Sequence, residues 1–288
     1  MKLSLGTAQF GSCYGVANNQ GQISYDEAVT VIETARLGGV RTLDTAVSYG
    51  VAESVLGEVG IEDFECITKL PALPQGVDDF DAWVIGQLSG SIGRLGVSHL
   101  TAVLLHHPGD ILGEQGSKYV RALRVAKDKG YVENIGFSIY APEILDDLTT
   151  ALWPDIIQAP FNVFDQRISV SGWLDRLVDG GVEIHTRSAF LQGLLLMPAV
   201  KRPFYFNDWK DHLARWDELV VSKAVSPMAL ALNYVIADRR VDRVVIGVDN
   251  SSQLTELINC CDSGFSDDLS FLQTNATGLI DPSLWKLL

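Results

Sequence analysis

Val40-Arg-Thr-Leu-Asp-Thr-Ala-Val-Ser-Tyr-Gly-Val-Ala-Glu53 reads as a strand, a loop and the first turn of a helix. Residues 41–45 form an apolar, β-branched run that suits a buried strand. Asp44 falls near its end, Tyr49 lies in the loop that follows, and Gly50 breaks the chain before a helix over residues 52–59. Seven further runs share this character, at residues 3–8, 65–69, 102–106, 134–138, 156–159, 183–187 and 243–247. Their apolarity is continuous rather than alternating, as expected of strands buried on both faces of a parallel sheet. A segment with helical spacing follows each. Eight strand–helix alternations predict a (β/α)8 TIM barrel, read as a single domain over residues 1–288. An open doubly wound sheet would call for a Gly-x-Gly-x-x-Gly turn opening the first helix, and the sequence has none there.

The helices carry start and stop signals. Ser24 with Glu27 three residues on is a capping box before Ala28, Val29, Ile32 and Ala35, and Gly38-Gly39 ends that helix. Helices are also expected over residues 80–95, 118–129, from Pro142, over 172–179, and from Pro227 to about residue 237. An inserted segment near 194–225, with Pro198, Pro203 and Phe204-Tyr205-Phe206, holds an extra helix over residues 208–223. A last helix starts near Ser251.

Composition narrows the function. The chain is 47% hydrophobic and 20% charged, ordinary for a protein with a large core. Its formal net charge of −14 argues against a nucleic-acid partner, whose phosphates would be repelled. No apolar run approaches the ~20 residues needed to span a bilayer, so no membrane role is expected. Met1-Lys2-Leu3-Ser4-Leu5-Gly6 runs straight into Thr7-Ala8-Gln9-Phe10 without the apolar core of a signal peptide. Cys13, Cys66, Cys260 and Cys261 form neither a Cys-x-x-Cys motif nor a disulfide framework, which suits reduced thiols and a cytoplasmic location.

In a barrel, residues at the C-terminal ends of strands converge on one mouth whatever their separation in sequence. The second strand brings Asp44 and, from its loop, Tyr49; the third brings Lys69; the fourth brings His106. Each has a plainer reading: a loop-capping aspartate, a packed ring, a lysine reaching solvent, a loop histidine. Together they make an acid–base set. A free phenol, with a pKa near ~10, is a weak acid at neutral pH, and a neighbouring ammonium stabilises its anion. Asp44 would hold Lys69 charged, Lys69 would tune Tyr49, Tyr49 would exchange the proton, and His106 would orient a carbonyl.

This set resembles the aldo-keto reductases. Asp44, Ala46, Tyr49, Gly50 and Glu53 match the family's Asp-x-Ala-x-x-Tyr-Gly signature with its following Glu; Thr68-Lys69-Leu70 and Leu104-Leu105-His106-His107-Pro108 match the contexts of its lysine and histidine. The resemblance implies an NAD(P)-dependent oxidoreductase that interconverts an alcohol and a carbonyl, on a small aldehyde, ketone or sugar derivative. It implies NAD(P)H as cofactor, with Ser138 and Gln158 on the nicotinamide carboxamide. Two positions depart from the pattern: Ile139 stands where the family has asparagine, and Arg187 where a tyrosine often stacks on the nicotinamide. Arg187 remains a cofactor-binding candidate, because a planar guanidinium also stacks on a ring.

The eighth strand leads through Gly247, Asp249 and Gln253 into a helix start, where backbone N–H groups suit a phosphate. Relatives that prefer the phosphorylated cofactor usually place Lys or Arg here. Residues 247–253 contain neither, and Asp249 would repel a 2′-phosphate. Two other classes compete with the reductase. One is a reductase-like cofactor-binding or redox-sensing protein with little turnover. The other is a metal-dependent hydrolase using His106, His107, His185 and Asp44; the expected set contains no metal ligand.

Overall fold

A computed structural model describes residues 1–18, 20–261 and 267–285. Among them, eight parallel strands close into a barrel in sequence order. They are β1 Leu3–Gly6, β2 Thr42–Asp44, β3 Glu65–Leu70, β4 Leu100–Leu105, β5 Val132–Ser138, β6 Ile156–Pro160, β7 Glu183–Arg187 and β8 Arg243–Gly247. Every expected strand is present, six of the eight shifted at one or both ends by a residue or two. β1 is shorter than expected because Ala8–Gly11 turns into helix. β4 ends at Leu105, so His106 stands just above the strand.

Closure comes from β1 pairing with β8, Leu3 opposite Val244 and Gly6 opposite Gly247. Inside the barrel, Ile67, Ala102, Leu104 and Ile156 pack as a small apolar plug. Polar groups take up the N-terminal end, where Thr42 donates to Glu65 at 2.8 Å and His185 Nε2 lies 2.9 Å from Glu183. The catalytic candidates stand on the opposite end.

Helices Tyr25–Leu37, Ala52–Val59 and Phe80–Leu95 pack around the strands through buried residues such as Ile32, Leu56 and Leu88. Ser24 caps the first of them, accepting from Glu27 N–H at 3.3 Å. The other half of the expected capping box is absent: the Glu27 carboxylate accepts instead from Ser251 N–H, at 2.6 Å. It thus closes the N-terminus of the helix Ser251–Cys260.

The inserted segment folds as 3-10 turns followed by the helix Lys210–Lys223. With the tail it builds a second buried cluster outside the barrel, around Phe164, Leu195, Phe206, Trp216 and Leu279. Trp216 donates to Leu195 O at 2.9 Å, and Arg202 grips Asp217 with two hydrogen bonds. No single helix among the described residues is long and apolar enough to cross a membrane.

Candidate active site

Asp44 ends β2 and Lys69 lies one residue before the end of β3, both facing into the barrel mouth. Burial is nearly complete, with 3% of Asp44 and 1% of Lys69 exposed. A lone charge there would be very costly, so the pair must satisfy itself. Lys69 Nζ donates to Asp44 Oδ1 at 2.6 Å and to Thr45 O at 2.9 Å. Burial is the largest single influence and would lower the lysine pKa; the charge and hydrogen bond of Asp44, together with Tyr49, outweigh it and hold the ammonium above its usual value.

Tyr49 is set by its loop. Its ring packs edge-on to His106, centroids 6.0 Å apart, and Lys69 Nζ lies 5.2 Å from the ring centre. The loop has to press against the helical turn after β1: a Cβ on Gly11 would fall 1.6 Å from Tyr49 O, and Gly50 takes a φ of +56°. Those two glycines let the phenol reach the mouth. Burial raises the Tyr49 pKa, and Lys69 pulls it partly back. The sequence suggests that the lysine should dominate; desolvation wins, so the phenol is firmly protonated at neutral pH.

Burial, with Lys69 and His107 nearby, depresses His106 to about 4, so the ring is neutral at pH 7. Ser48 Oγ lies 3.3 Å from its Nδ1. A serine hydroxyl donating there fixes the proton on Nε2, leaving that N–H for a carbonyl oxygen. Ser48 was invisible as a site residue in the sequence, where it is merely an unspecified position within the motif.

Glu53, the last residue of the motif, serves the fold rather than the mouth. It is buried, accepts from Thr68 Oγ1 at 2.6 Å and pairs with Arg94 at 2.6 Å. It ties the Ala52–Val59 helix to β3 and the Phe80–Leu95 helix. Glu53→Ala should cost about 3 kcal/mol of stability in urea unfolding, because it strands a buried hydroxyl and frees a guanidinium. A loss below about 0.5 kcal/mol would show that the tie does not matter.

A cavity of about 420 Å³ opens at this mouth. Asp44, Tyr49, Gln158 and Arg187 line one end; Gly247, Asp249 and Gln253 line the other. Seven of the ten expected site residues therefore line one groove. Lys69 and Ser138 lie buried behind it, and His106 flanks Tyr49. Arg187 is the only Lys or Arg among the described lining residues. Its guanidinium donates to Ile139 O at 2.9 Å and lies 4.4 Å from the centre of the Tyr140 ring. The two departures from the reductase pattern, Ile139 and Arg187, thus contact each other.

The groove has features of a nucleotide cradle. Gly247 presents bare backbone beside Gln9, where a Cβ would lie 2.6 Å from the Gln9 carboxamide. The loop after β7 arches over it with Ser188, Leu191 and Gln192 at φ of 63°, 46° and 51°. Strained residues of this kind gather at ligand clamps. At the far end the chain already uses its own donors: Asp249 N–H binds Gln253 Oε1, Gln253 N–H binds Asn250 Oδ1, and Ser251 N–H binds Glu27. Arg240 is engaged by Asp238 and Asp175, and Arg243 sits at the opposite end of the barrel near Glu65.

The hydrolase alternative loses its ligand set. His185 is buried against Glu183, and among the described residues no three His, Cys, Asp or Glu side chains gather in a way that could hold a metal ion.

An uncharacterized oxidoreductase of Bacillus subtilis, YtbE, is 28% identical over 205 residues, covering 66% of this chain and 70% of that protein. The L-glyceraldehyde 3-phosphate reductase of Escherichia coli is 24% identical over 261 residues, covering 76% and 74%. Among solved structures, the holo form of aldo-keto reductase AKR11C1 from Bacillus halodurans superposes with a TM-score of 0.73 over 90% of this chain and 86% of that one. At 19% identity that likeness speaks for the fold alone. Residues 2–269 match the model of the aldo/keto reductase family, and the chain belongs to that family.

Proposed function

We propose that this protein is a cytoplasmic NAD(P)-dependent reductase that interconverts a small carbonyl compound, an aldehyde, ketone or sugar derivative, and its alcohol. The observation that carries this reading is the buried Asp44–Lys69 pair set against Tyr49 at one end of a long groove. A nicotinamide cofactor, when bound, supplies or accepts the hydride. Gln158 and Arg187, with Ser138 bonded to Gln158 behind them, would hold its nicotinamide end, and Gly247, Asp249 and Gln253 its far end. Tyr49 gives its proton to the carbonyl oxygen as negative charge builds there and is left as a phenolate beside the Lys69 ammonium. Neutral His106 donates to the same oxygen and orients it. Membership of the family and a relative named for reducing a sugar phosphate support this substrate class.

The test is a turnover screen of aldehydes, ketones, aldoses and sugar derivatives with both nicotinamides. Turnover with any of them, lost in the Tyr49 variant, supports the reading. A protein that binds the cofactor and oxidises it only stoichiometrically would be a cofactor-holding protein instead.

Cofactor choice follows from the far end of the groove. Asp249 and Glu256 line it, no Lys or Arg among the described residues does, and three backbone donors are already engaged. A 2′-phosphate carries close to two negative charges and meets no Lys or Arg there among the described residues, whereas a ribose hydroxyl can donate to Asp249. NADH should therefore be a usable cofactor, and Asp249→Arg should shift preference toward NADPH by about 1–3 kcal/mol. Fluorescence-quenching titrations with both nucleotides measure it. A wild type binding NADPH about a hundredfold tighter than NADH, some 2.7 kcal/mol, would sink the idea.

A further inference from the structure

The structure assigns Gln158 a second role, as a positioning residue that orients the Asp44 carboxylate and, through Asp44 and Lys69, sets the acidity of Tyr49. Gln158 is 1% exposed. Its Nε2 donates to Asp44 Oδ2 at 2.7 Å, and its Oε1 accepts from Ser138 Oγ at 3.2 Å. The amide has no alternative orientation. An ionised carboxylate only accepts, so the nitrogen must face Asp44, and the serine hydroxyl then has the amide oxygen to donate to.

The arrangement divides the carboxylate. Oδ2 is satisfied by a neutral amide and Oδ1 by Lys69, so the lysine meets a single oxygen and keeps its place beside Tyr49. Remove the amide, and Oδ2 is left buried without a donor. The carboxylate then turns both oxygens onto Lys69, draws Nζ away from the phenol, and loses the amide dipole that offsets its charge. Each change disfavours the phenolate, so the Tyr49 pKa rises. A buried chain of hydrogen bonds, Ser138–Gln158–Asp44–Lys69, thus links β5, β6, β2 and β3 and ends on Lys69 Nζ, 5.2 Å from the centre of the Tyr49 ring; none of its links needs a bound ligand.

This inference rests on the reading of Tyr49 as the acid, but it is tested without turnover. Tyr49 is replaced by 3,5-difluorotyrosine, which brings the phenol's ionisation into a range the fold tolerates, and its fluorine resonances are titrated in the cofactor-free protein. Gln158→Leu should move the midpoint up by about one pH unit. Ser138→Ala, a milder change that only loosens the amide, should move it the same way by about a third as much and stands in if the leucine variant does not fold. Affinities for NADH and NADPH are measured alongside. A midpoint unchanged or lowered in the folded variant, whether or not nucleotide affinity falls, overturns the proposal. A wild type that turns over no carbonyl would remove the reductase reading, while the titration still reports the chain of hydrogen bonds.

Discussion

Tyr49→Phe is expected to lower turnover by at least ~10²-fold while leaving the fold and cofactor affinity nearly unchanged. Only the O–H is lost. The ring keeps its edge contact with His106 and its place over Lys69, and the Asp44–Lys69 pair is untouched. Buried as it is, the wild-type phenol is protonated at neutral pH, and its neighbours are not placed to replace it as the proposed acid: Lys69 is committed to Asp44 and Thr45, and His106 is neutral. Steady-state rates with the best carbonyl, beside nucleotide titrations and a thermal melt, separate the effects. A variant keeping more than about a third of the wild-type rate would mean that the proton comes from elsewhere.

Lys69→Met should be as damaging to rate, and it should also weaken the fold. Removing one partner of a buried pair leaves the other charge uncompensated, typically costing about 3–5 kcal/mol. The lysine pKa is raised in the folded protein, so the pair contributes fully at pH values below the ordinary lysine value of 10.5 and is lost only as pH climbs through the higher folded value. At neutral pH the whole contribution is present to be lost. If rate remains measurable, the alkaline limb of the pH–rate profile should move upward, because a cation favouring the phenolate has gone. An unmoved limb would detach Lys69 from Tyr49. Adding Asp44→Asn should recover part of the stability and none of the rate, since the double variant removes the stranded charge without restoring the cation.

The strands were legible because a barrel buries both faces of each one, which writes a continuous apolar run into the chain. That Asp44, Tyr49, Lys69 and His106 come together was legible because strand ends define a single rim, so position along a strand fixes position in space. Side-chain destinations were another matter. Glu27 satisfied a local capping pattern, yet its carboxylate serves a helix that begins more than two hundred residues later. Gln158 was assigned to the nicotinamide by family pattern, and its bond to Asp44 crosses the barrel interior, which no spacing reveals. The balance of forces on Tyr49 was also hidden: an ammonium can be inferred from a nearby lysine, but desolvation depends on everything packed around the ring. The second buried cluster was missed because the insertion's aromatics carry no period that says what they cover.

The seam between β1 and β8 joins the first strand made to the last. Leu3 lies opposite Val244, and Lys2 Nζ reaches Ile236 O and Asp238 O at 3.0 and 2.8 Å. A ribosome releases the N-terminal strand long before its partner exists. Until residues 243–247 emerge, β1 has an open edge, and so does β7, each a template for pairing with another chain. Contacts spanning some 240 residues carry the largest loop-closure cost and form slowly. A chain in which β1 to β7 had paired without β8 would be an open sheet with two exposed edges, the state most open to aggregation.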